Sequence, residues 1–220
     1  MGLGRLLHGN PSPETPGLTL GHGRGYDLFG ALFFGGRRHH VFNRLAELSG
    51  ARPGDRALDV GCGTGHLTRP LAAAVAPGGT ALGVDASSAM LDRARRAGGP
   101  ANCTYATGVA EALTAEDASY DVVTTSLMIH HLPPAIRATA IGEMYRVLRP
   151  GGRLLVADFR PPANRIGRHL VGALTGPEME HNPVRLIEPL VRQAGFGNVA
   201  VGDLHPWIHY VSATKPGVAV

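Results

Sequence analysis

The chain is poor in several things that mark common function classes. Its two cysteines, Cys62 and Cys103, are too few for a disulfide framework in 220 residues, and neither belongs to a Cys-x-x-Cys pair. No apolar run approaches the length needed to cross a membrane, and the N-terminus has no charged-then-apolar signal pattern. Leu6 stands where myristoylation requires Ser or Thr. The expected compartment is a reducing cytoplasm, with no membrane insertion. Only Lys215 among the 21 basic residues is a lysine, and the arginines are scattered. The tightest groups, Arg37-Arg38 and Arg93, Arg95, Arg96, read as exposed helix positions, so a net charge of +4 carries no nucleic-acid partner. The 11 histidines include His39-His40, His181, His205 and His209, yet none has a metal-ligand spacing such as His-Glu-x-x-His. No metal site is expected.

What is present is ordinary globular material, 44% hydrophobic and 17% charged, enough for one domain with a full core. Residues 1–36 are rich in Gly and Pro and read as a flexible arm or lid, with Tyr26-Asp27-Leu28-Phe29 as its anchor. A helix follows over Arg37–Leu48, placing Val41, Leu45 and Leu48 on one face. Strands and helices then alternate. Arg56–Val60, Thr80–Val84, Cys103–Ala106, Tyr120–Ser126 and Arg153–Asp158 read as strands. Leu67–Val75, Ala89–Ala97 and Ala135–Leu148 read as helices, the last stopped by Pro150-Gly151-Gly152. This alternation predicts an α/β fold with a doubly wound, mostly parallel sheet. After an unassigned insert at about 160–183 come a helix at Glu188–Ala194 and strands at Val199–Asp203 and Ile208–Thr214. Their short connection forces the last strand to run antiparallel.

The most specific segment is Leu58-Asp59-Val60-Gly61-Cys62-Gly63-Thr64-Gly65. A buried strand delivers the chain to a turn without β-carbons, so that backbone can approach a ligand. Asp85 ends the next strand, where a carboxylate takes both hydroxyls of a ribose, with the alternative role of helix cap. A dinucleotide site would carry Gly-x-Gly-x-x-Gly; here the third glycine falls at Gly65 and His66 follows. With that spacing the segment resembles motif I of the class I S-adenosylmethionine-dependent methyltransferases. Ser126 to Pro133 (with Met128, His130 and His131), the Leu148–Leu154 turn and Tyr26-Asp27 resemble the ubiquinone/menaquinone-biosynthesis group and its small-molecule relatives.

The resemblance implies a seven-stranded Rossmann-like methyltransferase sheet with a reversed last strand. It implies S-adenosylmethionine as cofactor, bound by Tyr26, Asp59, Gly61, Cys62, Gly63, Gly65, Asp85, Ala86, Met90, Ala110, Glu111 and Ser126. The loop is expected to wrap the methionine half, with backbone N–H groups facing its carboxylate. Relatives commonly carry Gly-Asp-Ala-Glu after the third strand to hold the adenine amine; here Val109 replaces the acid, leaving Ala110 and Glu111. His130 and His131 are the catalytic candidates, one as general base for a substrate hydroxyl, with a structural role for one or both as the alternative. His40, Met128 and His181 are expected on the substrate side. The function expected is methyl transfer to a small aromatic or apolar acceptor, at O or C rather than N, in secondary metabolism, with a homodimer left open. The alternative is the same fold and site used for cyclisation, another non-methyl reaction, or binding only. A nucleic-acid amino-methyltransferase is disfavoured because no Asp/Asn-Pro-Pro-aromatic follows the fourth strand.

Overall fold

The protein is described here from a computed structural model covering residues 36–160, 182, 184–205 and 207–217. The expected arm and insert, with Tyr26 and His181, lie outside the described residues. Within them run α1 (Arg38–Leu48), β1 (Arg56–Val60), α2 (Thr68–Val75), β2 (Thr80–Asp85), α3 (Ser88–Arg96), β3 (Cys103–Thr107) and β4 (Tyr120–Ser126). They are followed by α4 (Pro134–Val147), β5 (Leu148–Phe159), α5 (Ile187–Gln193), β6 (Gly197–Leu204) and β7 (Ile208–Thr214).

The seven strands form one sheet in the order β3-β2-β1-β4-β5-β7-β6. The pairs from β3 to β5 are parallel, while β7 runs antiparallel to both β5 and β6. Strand alternation divides the core between the two faces. Ala57, Val122 and Leu155 pack with Val41, Leu45, Leu71 and Val75 of α1 and α2. Their neighbours Leu58, Val123 and Leu154 pack with Ile141, Met144 and Val191 of α4 and α5. Strands buried on both faces must be apolar throughout, as Val122-Val123 and Leu154-Leu155 are. β1 lies between β2 and β4 with Asp59 level with Gly83 and Thr124, so the strands' carboxyl ends open at one edge.

One boundary differs from the sequence expectation. The helix α4 ends at Val147, and strand structure begins already at Leu148, through Pro150-Gly151-Gly152. The reason is tertiary: Gly151 N–H donates to the Lys215 carbonyl and Lys215 N–H donates to the Gly152 carbonyl, each at 2.9 Å. The turn is thereby zipped to the chain leaving β7, and the register of β4 on β5 slips between Tyr120 and Val122. No helix of the described residues is long and apolar enough to cross a membrane.

The single lysine closes this corner. Lys215 Nζ donates to the carbonyls of Tyr145 at 2.8 Å, Leu148 at 2.7 Å and Arg146 at 3.4 Å. These carbonyls lie at the C-terminal end of α4, where a cation also meets the negative end of the helix dipole. Replacing Lys215 with Met keeps the aliphatic stem and removes the donors. The expected loss is about 1–3 kcal/mol of stability, measured by urea denaturation, with no change in helix content by circular dichroism.

Candidate active site

The turn after β1 is built on Asp59, which is 1% exposed. Its two carboxylate oxygens accept from Thr68 Oγ1 at 2.7 Å and Thr124 Oγ1 at 2.9 Å. One buried carboxylate thus joins β1 to β4 and to the start of α2. Burial pushes its pKa up to about 7, against the opposing effect of the two threonine hydrogen bonds. Asp59 does not line the cavity described below; with both oxygens engaged under the loop, it supports that loop from behind.

Above it, the Gly61 and Cys62 N–H groups donate to the Val84 carbonyl at 2.8 and 3.0 Å, and Gly65 N–H to the Cys62 carbonyl at 2.9 Å. A side chain at Gly61 would collide with Met128, and one at Gly65 with Tyr105. Gly65 therefore serves packing and, like Asp59, stands outside the cavity lining. Gly63, at φ +53°, faces open space and lines the cavity. The Cys62 thiol is pushed well above its ordinary pKa by burial and by the charges of Asp59 and Asp85, which leaves no thiolate for catalysis.

Asp85 accepts from Gly63 N–H at 2.7 Å through one oxygen and from Ser87 N–H at 2.8 Å through the other. It thus ties the glycine loop to the start of α3, while Ser87 caps that helix. Burial raises its pKa, against these two donors. Each carboxylate oxygen retains a lone pair for a further donor. Ala86, Met90, Val109, Ala110 and Glu111 line the cavity on this side.

On the other side the chain leaves β4 through Ser126 and Leu127. Leu127 has φ +55°, a left-handed conformation that costs a branched residue about 1–3 kcal/mol and is tolerated where packing enforces it. The next residues form a short helical turn, Ile129–His131, and here the two histidines separate. His130 is buried, with Nδ1 2.6 Å from Asp158 Oδ1 and its backbone N–H 3.1 Å from Asp158 Oδ2. Asp158 is fully buried at the end of β5 and also accepts from Phe159 N–H and Asn182 Nδ2. Burial alone would raise its pKa, but His130 and these donors together hold it below the usual carboxylate value. Asp158 is therefore ionised and the His130 Nδ1 carries a proton. The His131 ring lies against that of His130, centroids 4.0 Å apart and tilted by 43°, and it is His131 that lines the cavity.

One cavity spans the carboxyl ends of the central strands. Asp85 to Glu111 bound it on the β2–β3 side, and Ser126, Leu127, Met128, His131 and Leu132 on the β4 side. Between them lie Gly61, Cys62, Gly63, Thr64, His66 and Leu67 of the loop, with Phe42 reaching in from α1. His40 is not among these residues. It is exposed on α1, because that helix buries Val41, Phe42, Leu45 and Ala46 instead. Among the described residues no three His, Cys, Asp or Glu side chains stand together as metal ligands.

Residues 57–152 match the family model of the methyltransferase domain. By that match these residues form a methyltransferase domain. The ubiquinone/menaquinone biosynthesis C-methyltransferase of Ectopseudomonas mendocina is 40% identical over 144 residues, 63% of this chain and 55% of that protein. Its counterpart in Vibrio vulnificus is 37% identical over 142 residues, 62% of this chain and 54% of that protein. The chain spans about half the length of the curated relatives it matches. Among solved structures, a SAM dependent methyltransferase from Aquifex aeolicus superposes with a TM-score of 0.69 at 18% identity, covering 87% of this chain and 96% of that one. The Haemonchus contortus phosphoethanolamine N-methyltransferase 2, solved with S-adenosyl-L-methionine, gives 0.66 at 20% identity, over 80% of this chain and 52% of that one.

The polar groups left over in the methyltransferase domain fit this cofactor. Asp85 has lone pairs to spare, and Gly63 leaves open space where a β-carbon would stand. Thr64 is 7% exposed, and its Oγ1 is buried without a partner among the described residues. The Thr64 and His66 N–H groups likewise find no acceptor among the described residues. Acceptors at Asp85 and unspent donors at the loop's far end suit a nucleoside carrying a carboxylate. Sequence reasoning did not single out Thr64, Phe42, Thr68, Thr124, Asp158 or Asn182. The one available signal was Asp158, an acid inside the apolar run Leu154-Leu155-Val156-Ala157, since a buried charge requires a partner.

Asp59 makes the domain's stability depend on pH. Its pKa in the folded state, about 7, lies above the ordinary value of 3.8, so its contribution is fully present below about pH 4 and is lost as pH rises through 7. Asp59→Asn, a neutral isostere, removes this dependence. The wild-type minus variant difference in unfolding free energy is expected to shift against the wild type between pH 4 and 7, at up to about 1.4 kcal/mol per pH unit. Urea titrations of both proteins across that range measure it; parallel curves would exclude the linkage.

Proposed function

We propose that this protein transfers a methyl group from S-adenosylmethionine to an oxygen or carbon of a small aromatic or apolar acceptor. The observation that carries this reading is the single cavity that joins the Asp85–Glu111 side to the Met128–His131 side across the glycine loop. The chemistry S-adenosylmethionine supplies when bound is a methyl group on a sulfonium, open to in-line displacement. The residues then have to align and desolvate rather than create reactivity. Asp85 holds the ribose hydroxyls, and Met90, Ala110 and Glu111 line the adenine end. Val109 contributes no polar side chain there.

At the acceptor end the surfaces are Phe42, Leu127, Met128 and Leu132, which favour a flat apolar molecule. His131 faces the same space and serves as the base for an acidic hydroxyl or an activated carbon. His130 stays a positioning residue, with its Nδ1 proton committed to Asp158. The names of the curated relatives point to carbon methylation of a quinone precursor, and a quinol ring has the shape and the acidic hydroxyls this end favours. No observation on the site favours the same fold used for a non-methyl reaction.

Titration calorimetry with S-adenosylhomocysteine tests the cofactor half. Binding is expected, weakened about tenfold to a hundredfold in Asp85→Ala by loss of a charge-assisted pair; no binding by the wild type would overturn the assignment. For the second half, transfer of labelled methyl from S-adenosylmethionine is measured over a panel of hydroxylated aromatics and quinols. With the acceptor so found, His131→Ala is expected to lower turnover by about a hundredfold or more while leaving S-adenosylhomocysteine affinity unchanged. Unaltered turnover would remove His131 as the base.

A further inference from the structure

His66 immediately follows the glycine loop, and the reading above gives it no task. Its ring lies 5.6 Å from that of Phe42, nearly parallel at 22°, and lines the cavity. Its Nε2 is 2.9 Å from Arg38 Nη1. A guanidinium only donates, so Nε2 must be the acceptor in this pair. Burial, then the positive charges of Arg38 and Arg69 and the nearby His39, push the His66 pKa down to about 4, so the ring is neutral at neutral pH. A neutral ring has one proton, and with Nε2 accepting it sits on Nδ1. That N–H has no hydrogen-bond partner among the described residues. Arg69 meanwhile donates to the Thr64 carbonyl at 2.9 Å, fixing the loop beside a second guanidinium. Beside this ring, Thr64 Oγ1 and the Thr64 and His66 N–H groups are donors without acceptors among the described residues. The complement of such a place is a carboxylate.

We propose that His66, held in one tautomer by Arg38 and in one plane by Phe42, donates a hydrogen bond from Nδ1 to the carboxylate of the bound amino-acyl nucleoside. The inference rests on the cofactor reading above and adds a side chain to it. It makes His66 the residue that tells S-adenosylmethionine and S-adenosylhomocysteine from truncated nucleosides. Arg38 is a positioning residue: removing it frees the ring to place its proton on Nε2 and turn an acceptor toward the anion.

The test compares S-adenosylhomocysteine with 5′-methylthioadenosine, which keeps the nucleoside and lacks the amino-acid end. Titration calorimetry is run on the full chain and on His66→Phe, His66→Asn, Arg38→Met and Arg38→Met/His66→Phe. His66→Phe keeps the stacked ring and loses the donor. It is expected to weaken S-adenosylhomocysteine by about tenfold to a hundredfold and to leave 5′-methylthioadenosine unchanged, which also shows the adenosine end intact. His66→Asn places an amide N–H where Nδ1 was and is expected to recover most of the loss. Arg38→Met is expected to weaken S-adenosylhomocysteine in the wild-type background and to add nothing in the His66→Phe background.

Equal losses on both ligands, an unchanged S-adenosylhomocysteine affinity, or failure of His66→Asn to recover it would each overturn the role of His66. Additive effects of the two substitutions would overturn the tautomer lock. A wild-type chain that binds neither ligand overturns the cofactor reading itself, and this inference with it.

Discussion

The site depends on one buried carboxylate. Asp59 is removed from water in the middle of the sheet, where burial favours its neutral form and the hydrogen bonds from Thr68 and Thr124 oppose that shift. Those two bonds tie the central strand to its neighbour β4 and to the first turn of α2. They hold the glycine loop at a fixed height above the sheet, and everything that lines the cavity is placed relative to that loop. Asp85 adds the lateral tie, taking Gly63 N–H from the loop and Ser87 N–H from the next helix. A parallel sheet supplies the geometry, because it brings the ends of β2, β1 and β4 to one edge.

The two adjacent histidines show how a fold divides labour between identical side chains. The helical turn that carries them keeps their rings in contact but gives them different surroundings. His130 goes into the interior, where Asp158 and Asn182 complete a polar cluster that joins the exit of β4 to the end of β5. Such a cluster holds position rather than adding stability, since desolvating the charges offsets much of their attraction. His131 is left at the cavity wall, its ring tilted against that of its fixed neighbour. A fixed neighbour beside a cavity-facing imidazole suits the proton transfer proposed for His131.

The helix α1 has a comparable double use. Its buried face packs on α2, and from the same helix Phe42 and Arg38 reach His66 on the loop. The segment entering the domain is therefore in direct contact with the proposed cofactor site. His40, one residue from the buried face, is turned to solvent by the helical period. Two residues along a helix are enough to separate a cavity wall from an exposed position.

Much of the fold was legible. The alternation of strands and helices, the reversed last strand and most boundaries follow from hydrophobic period and Gly/Pro punctuation, because those signals are local. The boundary at Leu148 was not legible, since its strand character comes from long-range pairing, of Leu148 with Tyr120 on β4 and of Gly151 and Gly152 with Lys215. Of the candidate site, the grouping of Asp85, Ala86, Met90, Ala110 and Glu111 along one cavity was legible, on a spacing set by one strand–turn–helix unit. Asp59 and Gly65 were expected at the ligand and instead lie under and behind the loop, engaged by Thr68, Thr124 and Tyr105. The sequence by itself determined the fold, the loop and the kind of cofactor, because each rests on short-range spacing that any chain of this pattern must honour. Only the tertiary structure decided that His131 rather than His130 faces the cavity, that Asp158 answers His130, and that Arg38 and Phe42 meet His66. Those depend on contacts between residues 24 to 28 positions apart, which no local pattern encodes.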